Sequence, residues 1–155
     1  MIYFILEGHN LHHEVQTSIQ IFYPNKHYYE TDKVSLETIT VKSILAENMS
    51  KAEVFDKGEK VSEYSFEIDN SEIETLKDKK RVIKKAIYIA LNKLTGYSCP
   101  WGMLTGIRPA KTVNELIDTG KSKDDIFTYL TEKYLVTKSK ATLAIDVALA
   151  ERKIL

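Results

Sequence analysis

Residues 34–68 read VSLETITVKSILAENMSKAEVFDKGEKVSEYSFEI, and this segment predicts three strands of an antiparallel meander. Apolar and polar residues alternate at 39–42, 52–54 and 64–68, the period-two pattern of strands with one buried face. Asp56, Lys57 and Gly58 supply a hairpin turn between the second and third strands. The segment therefore accounts for most of a small antiparallel sheet.

The preceding residues predict one more strand and a helix. Residues 1–6 form a short apolar run typical of a buried strand, and Gly8 ends it. Asn10 is a candidate N-cap for a helix that ends before Pro24. The apolar stripe of this helix comprises Leu11, Val15, Ile19 and Phe22.

A longer helix is predicted after the meander. Ser71 and Glu74 match a capping box, and Thr95-Gly96 is a typical helix stop. The inward positions of this helix are Leu76, Ile83, Ile87, Ala90 and Leu94. Residues 1–98 therefore predict an α+β unit of order β-α-β-β-β-α, in which two helices cover one face of a small antiparallel sheet.

Residues 99–155 predict a segment of about three helices. A loop over 97–107 precedes a first helix that Pro109 begins and Gly120 ends. Ser122 caps the second helix, and the third begins at Thr137 or Ser139. The apolar positions of the second and third helices are Ile126, Tyr129, Leu130, Tyr134, Leu143, Val147 and Ala150.

The composition is that of an ordinary globular protein. Of the 155 residues, 43% are hydrophobic and 28% are charged, which excludes intrinsic disorder. The net charge is zero, so no strong overall field attracts nucleic acid or an anionic membrane. Cys99 is the only cysteine, which excludes an intramolecular disulfide and suits a reducing compartment. Without a leader or an apolar segment of membrane length, the sequence predicts a cytoplasmic protein.

The tripeptide Gly120-Lys121-Ser122 matches the end of a phosphate-binding loop. Glu115 stands where the first glycine of that motif belongs, and a helix rather than a strand precedes the tripeptide. We therefore interpret it as a helix stop followed by the next cap.

Histidines and the single cysteine offer two further candidates. His9, His12 and His13 could ligate zinc, but no cysteine lies nearby in the sequence, which favours three surface histidines. Cys99 has no paired base in its sequence neighbourhood, which indicates an incidental thiol rather than a nucleophile.

A basic segment lies early in the long helix. One helical face would carry Lys77, Lys80, Arg81 and Lys84, and such a stripe could contact phosphates. Without interleaved aromatic residues, binding of single-stranded nucleic acid is not indicated. A solvated helix face is the favoured interpretation, and the alternative is a freestanding binding module that contacts nucleic acid through residues 77–85.

The densest motif is WGMLTGIRP at residues 101–109. Its two glycines permit unusual backbone angles. Arg108 precedes a predicted helix start, and an arginine beside free helix N–H groups is a ready anion site. The structural alternative is a turn in which Trp101 packs in the core and Arg108 binds nearby carbonyls.

These nine residues resemble a segment of HemZ-type oxygen-independent coproporphyrinogen III dehydrogenases, also called oxidases, which are radical S-adenosylmethionine proteins. The resemblance extends over about residues 100–152. Outside the motif it is carried by Lys111, Leu116, Gly120-Lys121-Ser122 and Tyr134-Leu135.

The resemblance implies an N-terminal accessory domain, with residues 1–98 and 99–155 preceding a radical S-adenosylmethionine barrel. In that family the barrel holds a 4Fe–4S cluster on three cysteines, binds S-adenosylmethionine and oxidatively decarboxylates coproporphyrinogen propionates in haem biosynthesis. With one cysteine this chain cannot form a three-thiolate site, so the resemblance implies a non-catalytic part of an oxidoreductase. Its candidate contacts with the barrel or with a porphyrinogen substrate are Trp101, Thr105, Gly106, Arg108 and Pro109.

Overall fold

The computed structural model describes residues 1–104 and 109–154. The chain divides into two compact units, Met1–Tyr97 and Ser98–Leu155. The first unit combines a sheet with two helices, and the second is helical. Within the described ranges, no helix is both long enough and apolar enough to cross a membrane.

The first unit contains a five-stranded mixed sheet of order β2-β1-β3-β4-β5. Strand β1 pairs in parallel with both β2 and β3, whereas β3, β4 and β5 form an antiparallel meander. The strands are β1 Ile2–Glu7, β2 Tyr28–Glu30, β3 Ile39–Leu45, β4 Met49–Asp56 and β5 Glu59–Glu67.

The predicted α+β class and the meander are confirmed, but the sheet is mixed rather than purely antiparallel. The sequence did not predict β2, because three residues are too few to show an alternating pattern. No local sequence pattern indicates the parallel pairing of β1, since its partner strands β2 and β3 both lie beyond α1 in the chain. The turn at Lys57 and Gly58 is confirmed, with φ values of 52° and 90° at the two central residues.

Two helices, α1 (His12–Phe22) and α2 (Leu76–Thr95), pack against each other, and α2 also packs on β3, β4 and β5. The apolar stripes predicted for them supply five buried residues of the core, Val15, Ile19, Ile83, Ile87 and Ala90. The buried residues of the whole core are Ile2, Phe4, Val15, Ile19, Val41, Ala52, Val54, Ile83, Ala86, Ile87, Ala90 and Leu91. The prediction that Leu76 faces inward is wrong, because this first residue of α2 is 57% exposed.

Both predicted N-caps in this unit are wrong. Helix α1 follows Leu11 and has no side-chain cap at this residue; the backbone N–H of Leu11 donates to Nδ1 of His9 at 3.1 Å. Helix α2 is capped by Thr75, whose hydroxyl accepts from the N–H of Asp78 at 3.1 Å. Ser71 instead donates both its N–H and its hydroxyl to the carboxylate of Asp69 within a local turn, which withdraws the hydroxyl from a capping role.

The described residues of the second unit contain three helices, as predicted. They are α3 (Pro109–Asp118), α4 (Lys123–Thr128), which continues into a π-helical turn at Tyr129–Lys133, and α5 (Lys138–Ile154). Ser122 caps α4 as predicted, because its hydroxyl accepts from the N–H of Asp125 at 3.1 Å. Helix α5 packs against both α3 and α4.

The inward face of α5 differs from the predicted one. Leu143 and Val147 are 46% and 40% exposed, and Ala150 is exposed as well. The buried positions are Ala141, Ala144, Ile145 and Ala148. Both sets have helical spacing, so the periodicity of the sequence could not decide which of them faces α3 and α4.

We expect His9 to make the stability of the first unit depend on pH. Burial lowers the pKa of His9 from its ordinary value of 6.5, although its hydrogen bond with Ser43 acts in the opposite direction. The unfolded chain therefore binds this proton more readily than the folded one. The free energy of unfolding should be highest above about pH 6.5 and fall as the pH drops below it.

Denaturant titrations between about pH 7.5 and pH 5 would measure this effect. In a His9→Gln variant the decline in acid should be smaller than in the parent chain. The matched control is His13→Gln, which removes an exposed imidazole and should leave the decline in place. An identical decline in the parent and in His9→Gln would contradict the assignment to His9.

Candidate functional site

The first half of the WGMLTGIRP motif is a turn that hydrogen bonds hold against the segment before α5. The N–H of Met103 donates to the carbonyl of Tyr134 at 2.8 Å. Thr137 donates to the carbonyl of Pro100 twice, from its N–H at 3.0 Å and from its hydroxyl at 3.1 Å. We call residues 99–104 and 134–137 together the clasp.

Gly102 allows the two halves of the clasp to approach closely. Its φ is 58°, and an ideal Cβ at this position would lie 2.2 Å from the carbonyl oxygen of Tyr134 and 2.4 Å from the carbonyl group of Leu135. No side chain fits at these distances, so the backbone contact requires glycine. Leu135 itself has a φ of 58°, which is uncommon for a residue with a branched side chain.

The clasp buries the side chains of Met103, Leu104, Tyr134 and Val136. Trp101 is half-buried, and the ammonium group of Lys140 lies 5.5 Å from the centre of its indole ring. Cys99 is also half-buried, and its carbonyl accepts from the N–H of Gly102 at 2.9 Å. Backbone hydrogen bonds, buried apolar side chains and a cation–π interaction therefore fix the course of the chain from Cys99 to Leu104.

The five predicted site residues divide into two groups. Trp101 belongs to the clasp, and Pro109 begins α3, where its missing N–H costs no helical hydrogen bond. Thr105, Gly106 and Arg108 lie outside the described residues. The anion site predicted from Arg108 and the start of α3 therefore stays a prediction.

The sequence did not single out Tyr134, Leu135 or Thr137 as partners of the motif. The sequence predicts Thr137 only as a possible helix start, and its contact with Pro100 spans 37 positions. A positive φ at a leucine has no signature in the sequence. The available signal was the pair of glycines in the motif, which indicates that some backbone approaches closely.

The tripeptide Gly120-Lys121-Ser122 is the predicted helix stop and cap. The N–H of Gly120 donates to Ile117 at 2.9 Å, and that of Lys121 donates to Leu116 at 3.3 Å. With Ser122 capping α4, the three residues complete two helix termini and leave no phosphate-binding loop.

The clustered histidines are engaged separately. Nε2 of His9 lies 2.9 Å from the hydroxyl of Ser43, and His12 contacts the carboxylate of Glu30. Among residues 1–104 and 109–154, no group of three His, Cys, Asp or Glu side chains could hold a metal ion.

The basic face of α2 is not a solvated face, which corrects the favoured interpretation. Arg81 is only 6% exposed, and Nζ of Lys80 lies 3.1 Å from the buried carboxylate of Glu14 on α1. Lys84 is partly buried, and this burial lowers its pKa. Because α1 packs along α2, most of the predicted basic stripe is turned to contacts within the unit, and the nucleic-acid alternative is not favoured.

Replacing Gly102 with alanine should destabilise the helical unit by about 3 kcal/mol or more, because the methyl group would displace the backbone at Leu135. Gly120→Ala is the matched control, since Gly120 also has a positive φ but has no neighbouring atom within 4 Å of its ideal Cβ. It should lose only about 1 kcal/mol. Fluorescence of Trp101, the single tryptophan, reports unfolding of this unit in denaturant. Equal losses in the two variants would contradict the close approach.

Comparison with known proteins finds one curated relative at a significant level. The chain is 35% identical over 85 residues to the oxygen-independent coproporphyrinogen-III oxidase-like protein HemZ of Bacillus subtilis (strain 168). The match covers 53% of this chain and 16% of that protein. No protein-family model matches the chain. No solved structure matches it significantly.

The chain thus spans about a sixth of the length of the curated relative that it matches. The similarity supports, for part of the chain, the resemblance carried by the sequence motifs. The chain is accordingly similar to a coproporphyrinogen-III oxidase-like protein over 85 residues.

Proposed function

We propose that this chain is a non-catalytic accessory region of an oxygen-independent coproporphyrinogen-III oxidase-like enzyme of haem biosynthesis. In this proposal it precedes a radical S-adenosylmethionine barrel and packs against it, in the cytoplasm. The observation that carries the proposal is the 35% identity over 85 residues to a relative about six times as long as the matched segment. The single cysteine supports a reducing compartment.

The residues of this chain do not fit the iron–sulfur cluster of that enzyme class. Such a cluster is held by several cysteine thiolates, and the chain has Cys99 alone. No alternative ligand group exists in the described part of the chain. The proposal therefore assigns the 4Fe–4S cluster and S-adenosylmethionine to the barrel, and no step of the reaction to this chain.

The clasp supports a bracing role for the helical unit. Its backbone contacts at Gly102 and Thr137 hold the first half of the motif rigidly. A rigid turn is suited to meet another domain without a large loss of conformational entropy.

One contact with substrate is included in the proposal. Arg108 and the first N–H groups of α3 would bind a propionate carboxylate of the porphyrinogen at the boundary with the barrel. Arginine and a helix N-terminus are the two protein groups that most readily bind carboxylates. Trp101, Thr105, Gly106 and Pro109 would line the same boundary.

The accessory role is tested by capturing the native product from its source cells with an antibody against the chain. Intact-mass and iron measurements should show a species well above 17.8 kDa that carries iron, either as one polypeptide or as a stable complex. The control is the same capture from cells that lack the gene. An iron-free species of about 17.8 kDa with no companion would overturn the proposal.

The substrate contact is tested by Arg108→Ala in the assembled enzyme. Loss of a charge-assisted hydrogen bond should raise KM for coproporphyrinogen III about tenfold or more and leave kcat less affected. Lys121→Ala, which removes an exposed cation beyond the far end of α3, is the matched control and should leave KM unchanged. Unchanged kinetics in Arg108→Ala would remove the substrate contact and leave the accessory role standing.

A further inference from the structure

A cleft lies at the carboxyl ends of the parallel strands β1 and β2. Helix α1 connects β1 to β2, which lies on one side of β1. The segment 31–38 then connects β2 to β3, which lies on the other side of β1. The strand order therefore reverses its direction at β1. In sheets with parallel strands, ligands bind preferentially beyond the carboxyl ends at such a reversal point.

The segment 31–38 forms one wall of this cleft. The N–H of Ser35 in this segment donates at 3.0 Å to the hydroxyl of Thr40. Successive side chains of a strand point to opposite faces of the sheet, and the neighbouring Val41 faces the core. The segment therefore crosses the face of the sheet opposite the core. The N–H of Thr31 also donates to the carbonyl of Phe4 at 2.9 Å. These bonds fix the wall, so the cleft is preformed.

The floor of the cleft is apolar. Ile5, Val34 and Phe55 come from β1, from the wall and from β4, and all three are half-buried. The cleft has a volume of about 390 Å³, which is in the range of ligand-sized cavities. It therefore has room for one large side chain together with its neighbours.

The rim of the cleft is acidic although the whole chain has no net charge. Glu7, Glu30 and Asp32 lie on the rim, and all three side chains are exposed. The rim contains one cation, Lys42, whose Nζ lies 3.5 Å from Glu7. Asp32 makes no ion pair with any described residue, and the contact of Glu30 is with the imidazole of His12. With three carboxylates and one ammonium group, the rim has an excess of negative charge, which complements a positively charged partner.

We propose that this cleft docks a segment of a partner polypeptide that carries an arginine or lysine beside an apolar side chain. The apolar side chain lies on Ile5, Val34 and Phe55, and the cation contacts Asp32 and Glu7 at the rim. A polypeptide is favoured over a small free cation because the carboxylates are exposed at an open rim, whereas small-molecule sites enclose most of their ligand. This proposal is independent of the accessory function.

The experiment uses the 155-residue chain and a matched pair of probe peptides. Acetyl-phenylalanyl-arginine amide supplies an apolar ring and a cation, and acetyl-phenylalanyl-citrulline amide has the same shape without the charge. Amide chemical shifts recorded by NMR during titration report both affinity and location. We expect shifts confined to residues around Ile5, Val34 and Phe55, and an affinity for the arginine peptide at least about threefold higher than for the citrulline peptide.

Variants at the rim test the role of charge. Asp32→Asn combined with Glu7→Gln should reduce the affinity for the arginine peptide to that for the citrulline peptide. The control is Glu47→Gln, an exposed carboxylate in the turn between β3 and β4, which should leave the affinity unchanged. Added salt should lower the affinity for the arginine peptide more than the affinity for the citrulline peptide, because salt screens the charge interaction.

Three outcomes would overturn the proposal. Equal affinities for the two peptides would contradict recognition of the cation by the rim. Chemical-shift changes located elsewhere would contradict binding in this cleft. Arginine amide that binds as tightly as the arginine peptide would indicate a small cation rather than a polypeptide.

Discussion

The position of β1 between two parallel neighbours is the constraint on which the first unit depends. Its core residues Ile2 and Phe4 are almost completely buried, and burying each such side chain contributes roughly 1.5–3 kcal/mol. A parallel neighbour cannot be reached by a tight turn. Helix α1 and the segment 31–38 are the two connections that this requires, and they define the core face and the cleft.

The helical unit depends on a different constraint, which lies in the backbone. At Gly102 two chain segments approach so closely that no side chain fits, and hydrogen bonds to Tyr134 and from Thr137 hold them there. The buried side chains of Met103, Leu104 and Val136 add apolar packing to this backbone contact. The motif that suggested a relationship to coproporphyrinogen-III oxidase-like proteins therefore begins as a structural element.

The two proposals concern different units and different chemistry. The accessory role rests on similarity to part of a longer protein and on the clasp of the helical unit. The docking cleft rests on the topology of the sheet unit and on the carboxylates at its rim. The basic face of α2 illustrates why position in the fold matters for such arguments. In the sequence its charges favoured a solvated face, with nucleic-acid binding as the alternative, but Arg81 is buried and Lys80 pairs with Glu14.

The sequence by itself determined the elements whose signals are local. Alternation predicted β3, β4 and β5, the turn at Lys57-Gly58 joined two of them, and Ser122 capped α4. Tertiary structure alone decided the parallel pairing of β1, the existence of β2, the inward face of α5 and the partners of Gly102. The physical reason is the same in each case. Hydrogen-bond caps and periodic patterns act between residues a few positions apart, whereas strand order and close backbone contacts join distant positions that carry no shared local pattern.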